Sequence, residues 1–129
     1  MTMHQSIRTE TAAPPIGPYS QGIRWDRLIF TSSVGTSSPV HGGDAPSDDV
    51  SAAARNALEN LRQILLAGGS SLEHVLKVTL YLRTMDDFAA VNAEYAQFFN
   101  SDPRPARSLV AVAGARGPVS FDAIAYIPD

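Results

Sequence analysis

Residues 74–83, "HVLKVTLYLR", decide how this chain folds. Val75, Lys77, Thr79 and Tyr81 alternate with Leu76, Val78, Leu80 and Leu82, so one face is wholly apolar and the other mixed. A period of two with one greasy face marks a strand that helices cover on one side only. A helical pattern lies on either flank. Upstream, Val50, Ala54, Ala57, Leu58, Leu61, Ile64 and Leu65 recur at spacings of three and four, which predicts an amphipathic helix over 50–67. Asp48 or Asp49 offers its N-cap, and Gly68 and Gly69 stop it. Downstream, "TMDDF" caps a second helix over about Asp86–Phe99, with Phe88, Val91, Tyr95, Phe98 and Phe99 as its apolar side. "NSDPRP" (100–105) breaks that helix.

Working outward, "GIRW" (22–25) and "RLIFT" (27–31) read as a hairpin turning at Asp26. The stretch from Ser32 to Asp49 is dense in Ser, Gly, Pro and Asp and reads as loop. Two last strands, Ala106–Ala113 and Ser120–Ile127, flank "GARGPV". The order β-β-α-β-α-β-β belongs to the α+β class, with both helices on one face of a single sheet. The other face would carry Val110, Val112, Ile124 and Tyr126, or their alternates on the same strands. An uncovered apolar face marks a partner interface, so a homo-oligomer closed into a ring is expected. "APPIGPYS" (13–20) precedes all of this. Its prolines fix φ and push their predecessors toward extended geometry, making a stiff arm ahead of Tyr19.

The 129 residues fit one domain, 1–129. Hydrophobic residues form 44% of the chain and charged residues 18%, as in ordinary globular proteins. Net charge is −3, the pI is near 5.5 and no basic run occurs, so no nucleic-acid partner is expected. No apolar run reaches the ~20 residues of a membrane span, and the first ten residues lack a secretory apolar core. A cytoplasmic protein without a membrane partner is expected. There is no cysteine, which removes disulfides and thiolate chemistry. His4, His41 and His74 lie far apart, so no metal site is expected. No glycine-rich nucleotide cradle appears.

Several residues could carry chemistry. Arg107 enters an apolar strand on the face of Leu109, Ala111 and Ala113. It could hold a carboxylate through two parallel hydrogen bonds, or form a surface ion pair. Asp122, in "SFDAIAY", could act as a general base or position water, or could satisfy a nearby arginine. Tyr19 could lie against a ligand or plug the domain edge. Ser32 and Ser33 could donate to an anion or serve as turn residues. Asn92 is a poor helix former inside the second helix, so a polar contact holds it there or it faces solvent.

Taken together, "APPIGPYSQG", "RLIFTSS", "DDFAAVNAEYAQFF", "PARSLVAVA" and "DAIAYI" resemble the RidA (YjgF, Rid or L-PSP) family over nearly the whole chain. The resemblance implies a chorismate-mutase-like fold, a homotrimer whose three sheets form a central barrel, and intersubunit clefts for small carboxylated substrates. It implies hydrolysis of enamine and imine intermediates, such as 2-aminoacrylate, to 2-oxo acids and ammonia, with no cofactor. By the same resemblance Arg107 grips the substrate carboxylate, and Tyr19, Ser32 and Asn92 lie at the cleft. The family pattern E-I-E-A-I-A reads "SFDAIA" here, so Ser120 stands at the water-activating position and Asp122 at the second acid. Leu109 replaces a frequent cysteine, and "TSSVG" replaces "TSGQIP". Two other outcomes stay open: a trimer that binds carboxylates without turning them over, and a deaminase of a different intermediate, such as an aminomuconate-like compound. Ribonuclease activity, also attached to this family, fits the acidic pI poorly.

Overall fold

The structure is a computed structural model that describes residues 3–46 and 48–129. Ten regular elements follow one another: β1 (Gln5–Ile7), β2 (Gly22–Trp25), β3 (Leu28–Thr31), β4 (Ser37–Ser38), β5 (Gly43–Asp44), α1 (Val50–Ala67), β6 (Val75–Leu82), α2 (Phe88–Phe98), β7 (Ala106–Ala111) and β8 (Val119–Tyr126). Six strands form one mixed sheet in the order β1-β2-β3-β8-β6-β7. All neighbours are antiparallel except β6 and β7, whose parallel pairing needs the crossover that α2 supplies. β4 and β5 make a small separate hairpin. Among the described residues no helix is long and apolar enough to cross a membrane.

Each element has a local cause. Asp49 caps α1 by accepting from the Ala52 amide at 2.9 Å. Gly68 and Gly69 end it, and Gly69 takes the positive φ of +90° that a left-handed helix stop requires. Asp26 turns the β2–β3 hairpin at φ +55°. α2 starts at Phe88, two residues later than the sequence pattern suggests. A 3-10 turn over Met85–Asp87 comes first, and the Thr84 hydroxyl accepts from the Asp86 amide.

Both helices lie on one sheet face. Leu58, Leu61 and Leu65 of α1 and Val91 and Tyr95 of α2 close over Val78, Leu80, Phe121 and Ala123 of the central strands, all buried. The other face is open in the single chain. Trp25, Phe30, Val110 and Tyr126 lie on it with more than a third of their surface exposed. This is the uncovered apolar face expected from the sequence, and it extends further, across β2 and β3.

Three local details differ from the sequence pattern. Strict alternation puts Val75 with Lys77 and Leu76 with Val78. Instead a bulge between Val75 and Lys77 adds one residue opposite the Ala125–Ile124 step. Val75 therefore points inward and Leu76 is exposed. The N-terminal segment supplies an edge strand, β1, which buries Ile7 against Gly22 and Gly68. The 32–49 loop contains the β4–β5 hairpin, anchored by side chains of α1.

Candidate functional site

The walls of the site are fixed by three buried amides. Gln21 donates to the carbonyls of Thr9 and Ala13 at 3.1 and 2.9 Å and accepts from the Thr9 amide at 2.7 Å. Asn60 is fully buried; it accepts from the Ala13 amide at 3.1 Å and donates to the carbonyls of Gly35 and Ser37 at 2.9 and 2.7 Å. Asn56, one turn earlier, donates to Thr36 and Gly43. Backbone groups of both the proline arm and the 35–43 loop thus find partners, as buried amide groups must. The sequence reading missed these residues. Their one visible signal was two asparagines at i, i+4 beside the apolar stripe of α1.

The arm then folds back on itself. The Tyr19 amide donates to the Gly17 carbonyl at 2.9 Å, and the Ile16 amide donates to the Tyr19 hydroxyl at 3.2 Å. The Tyr19 ring packs on Gly17, where it would touch an added Cβ at 3.4 Å. Tyr19 lines a small cavity of about 40 Å³ with Pro14, Pro15, Ser32, Ser33 and Val34, enough for one or two waters. The Ser32 hydroxyl is spent inside the wall, donating to the Ser20 carbonyl at 2.7 Å. Ser33 points onward and donates to the Ser120 hydroxyl at 3.0 Å. Tyr19, Ser32 and Ser120 therefore gather at one corner, where β3 ends and β8 begins.

Arg107 and Asn92 gather elsewhere. Arg107 faces the helix side of the edge strand β7, in register with Val78. Its Nη1 donates to Asn92 Oδ1 at 2.9 Å. Its guanidinium carbon stands 4.7 Å from the Tyr95 ring centre and 5.9 Å from that of Phe88. Among the described residues no carboxylate lies within ion-pair distance of it. Burial raises the Tyr95 phenol above its ordinary range, and the Arg107 charge pulls partly the other way.

Asp122 does not meet an arginine, the partner considered from sequence. It accepts from the Tyr81 hydroxyl at 2.7 Å, on the open face of the sheet. That hydrogen bond to the carboxylate, with burial and the negative charge behind it, raises the Tyr81 phenol above its usual range.

The two groups do not converge in one chain. Ser120 pairs with Tyr81 and faces the open side, whereas Arg107 pairs with Val78 and faces the helices. They stand about 10 Å apart along the strands and about 10 Å across them, on opposite faces. One group offers a held cation with no carboxylate within ion-pair distance among the described residues, the other hydroxyls beside a small cavity.

The Endoribonuclease L-PSP family model matches residues 9–127. A RutC family protein of Pyrococcus horikoshii is 41% identical over 128 residues, covering 96% of this chain and 98% of that protein. The 2-iminobutanoate/2-iminopropanoate deaminase of Salmonella typhimurium is 41% identical over 113 residues, covering 86% of this chain and 87% of that enzyme. Among solved structures, Escherichia coli TdcF with bound serine superposes with a TM-score of 0.87 at 35% identity, covering 96% of this chain and 99% of that one.

Proposed function

The chain belongs to the L-PSP family, to which the names Rid and YjgF also attach, and we propose that it is a reactive-intermediate deaminase acting on 2-imino acids. Relatives named 2-iminobutanoate/2-iminopropanoate deaminase at about 40% identity support this reading. The observation that carries it is Arg107. An arginine held by Asn92 and by an aromatic face, with no carboxylate partner among the described residues, is a preorganised receptor for a carboxylate from outside.

In this reading the substrate carboxylate docks on the free edge of Arg107. Water held at Ser120 attacks the imine carbon, and a C–O bond forms as the C=N π pair moves to nitrogen. One proton of that water passes to the nitrogen, giving the carbinolamine; its hydroxyl proton then follows to the same nitrogen as the C=O bond forms and the C–N bond breaks. Ammonia leaves, and a 2-oxo acid remains. A serine hydroxyl is too weak an acid or base to do more than orient that water. Imines hydrolyse readily, so positioning and charge complementarity suffice for a useful acceleration. No step calls for a cofactor.

Because the Arg107 and Ser120 groups face opposite ways, the working site is proposed to lie between copies. A second chain closing beside the edge strand β7, with the open apolar faces turned toward each other, would bring its Tyr19 arm and Ser120 corner toward Arg107. A homotrimer of the kind the family resemblance implies would repeat this cleft three times.

A second reading has one observation behind it. Among the described residues Ser120 is hydrogen-bonded to another serine and to no acid, so the cleft could bind carboxylates without turning them over. Ammonia release from 2-iminobutanoate by the wild type and by Ser120→Glu separates the two. Release above the spontaneous rate by the wild type supports the deaminase. No release by either protein leaves only the binding role. A large gain in the glutamate variant alone means that the native cleft serves a different imine.

A further inference from the structure

Arg107 is a surface residue, and a long cationic side chain on an edge strand ordinarily samples many rotamers. Here it does not stand alone. Phe88, Asn92 and Tyr95 fall at i, i+4 and i+7 of α2 and so form one stripe under the guanidinium. Asn92 holds one edge of the cation at 2.9 Å, and Tyr95 lies beneath it at 4.7 Å. The Tyr95 ring is itself locked: its centre is 4.6 Å from that of Phe99 and 6.2 Å from that of Phe121, and the residue is 6% exposed. Glu94, its neighbour on α2, is tied to Arg55 of α1 at 2.9 Å, which fixes the helix that carries the platform. The Tyr95 hydroxyl is buried and has no hydrogen-bond partner among the described residues. The phenol oxygen therefore makes no hydrogen bond in this arrangement, and it is the ring that lies against the cation.

We infer that Tyr95 is a positioning residue for Arg107: its ring face, and not its hydroxyl, keeps the guanidinium flat with its free edge presented to an incoming carboxylate. The inference rests on the carboxylate-binding reading of Arg107 given above. Its energetic basis is a cation held on an aromatic face together with the rotamer freedom Arg107 has already lost before the ligand arrives. Phe88, at 5.9 Å, assists from the rim.

The test is calorimetric titration of the full chain with 2-oxobutanoate, a stable carboxylate. Tyr95→Phe is expected to bind within about twofold of the wild type, because it keeps the ring. Tyr95→Leu is expected to bind about 3- to 10-fold more weakly, the range of one partly exposed cation–aromatic contact. In turnover this loss should fall in KM with kcat nearly unchanged, since the contact serves ground and transition states alike. The Arg107 Nε–H proton should show a ring-current shift in the wild type and in Tyr95→Phe, and lose it in Tyr95→Leu. Should Tyr95→Leu fail to fold, Phe88→Leu carries the test, with an expected loss of about two- to threefold. Unchanged binding in Tyr95→Leu, or an equal loss in Tyr95→Phe, overturns the inference while leaving the Arg107 reading intact. Absence of wild-type binding, or undiminished binding by Arg107→Ala, overturns both.

Discussion

Arg107 on the edge strand and Asn92 on α2 are joined by a hydrogen bond of 2.9 Å from Nη1 to Oδ1. An amide satisfies one edge of the guanidinium yet leaves its charge intact, which a carboxylate in the same place would not. Asn92→Ala should weaken 2-oxobutanoate binding by about 5-fold, the value of one hydrogen bond to a charged group at a partly exposed site. Asn92→Asp should weaken it more than Asn92→Ala, because an acid there competes with the substrate for the same cation. Parallel titrations of the two variants check the order; tighter binding by Asn92→Asp than by Asn92→Ala would contradict it.

Asn60 holds the proline arm and the 35–37 loop with three hydrogen bonds from a fully buried position. Asn60→Ala removes all three and leaves backbone groups unpaired. It should cost about 3 kcal/mol and lower the melting temperature by about 10 °C. Thermal denaturation followed by circular dichroism measures this. A shift below about 2 °C would mean that water replaces the amide.

Tyr81 donates to Asp122, which raises the folded-state phenol above its unfolded value of 10.0. A raised pKa means the fold favours the protonated phenol. Its stabilisation is complete below the unfolded value and is lost as pH rises through the folded one. At pH 8 Tyr81→Phe should be less stable than the wild type by about 1 kcal/mol. Between about pH 10 and pH 12 the gap should shrink, because only the wild type must strip that proton. Tyr95 is also raised, but both proteins keep it, so it cancels. Urea midpoints at the two ends of the range decide; a gap that widens with pH would contradict the assignment.

Val110 is exposed on the open sheet face. If that face is where copies meet, a lysine there must be desolvated on assembly. Val110→Lys should lower the mass measured by light scattering from that of three chains to that of one. Ala96→Lys, on the exposed side of α2, should leave it unchanged. A wild type that runs as a single chain would contradict the between-copy site.

Much of the fold was legible because burial imposes periodicity. The α1 stripe ends where Gly68 and Gly69 stand, and the β8 alternation of Phe121, Ala123 and Ala125 against Ser120, Asp122 and Ile124 matches the observed faces. The bulge at Leu76 was not legible, because an extra residue in a ladder is a hydrogen-bond event and leaves the apolar pattern nearly unchanged. β1 buries one side chain in three residues, too little to stand out.

At the candidate site, residue types singled out Arg107, Asp122, Tyr19, Ser32 and Asn92, and Ser120 came only with the family resemblance. Partners were harder. The choice of Tyr81 over an arginine for Asp122, and the clamps made by Asn56, Asn60 and Gln21, depend on which strands and loops become neighbours. The opposite facing of Arg107 and Ser120 depends on the pairing of β6 with both β7 and β8.

The most direct measurement is ammonia release from freshly generated 2-iminobutanoate, with buffer alone, the wild type and Arg107→Ala run side by side. Arg107 is exposed and outside the core, so its removal should leave the melting temperature within a few degrees. The expected result is release well above the spontaneous rate for the wild type and a fall of at least about 100-fold for Arg107→Ala, as for loss of a charged anchor. A folded Arg107→Ala that keeps the wild-type rate, or a wild type no faster than buffer, would contradict a deaminase built on this arginine.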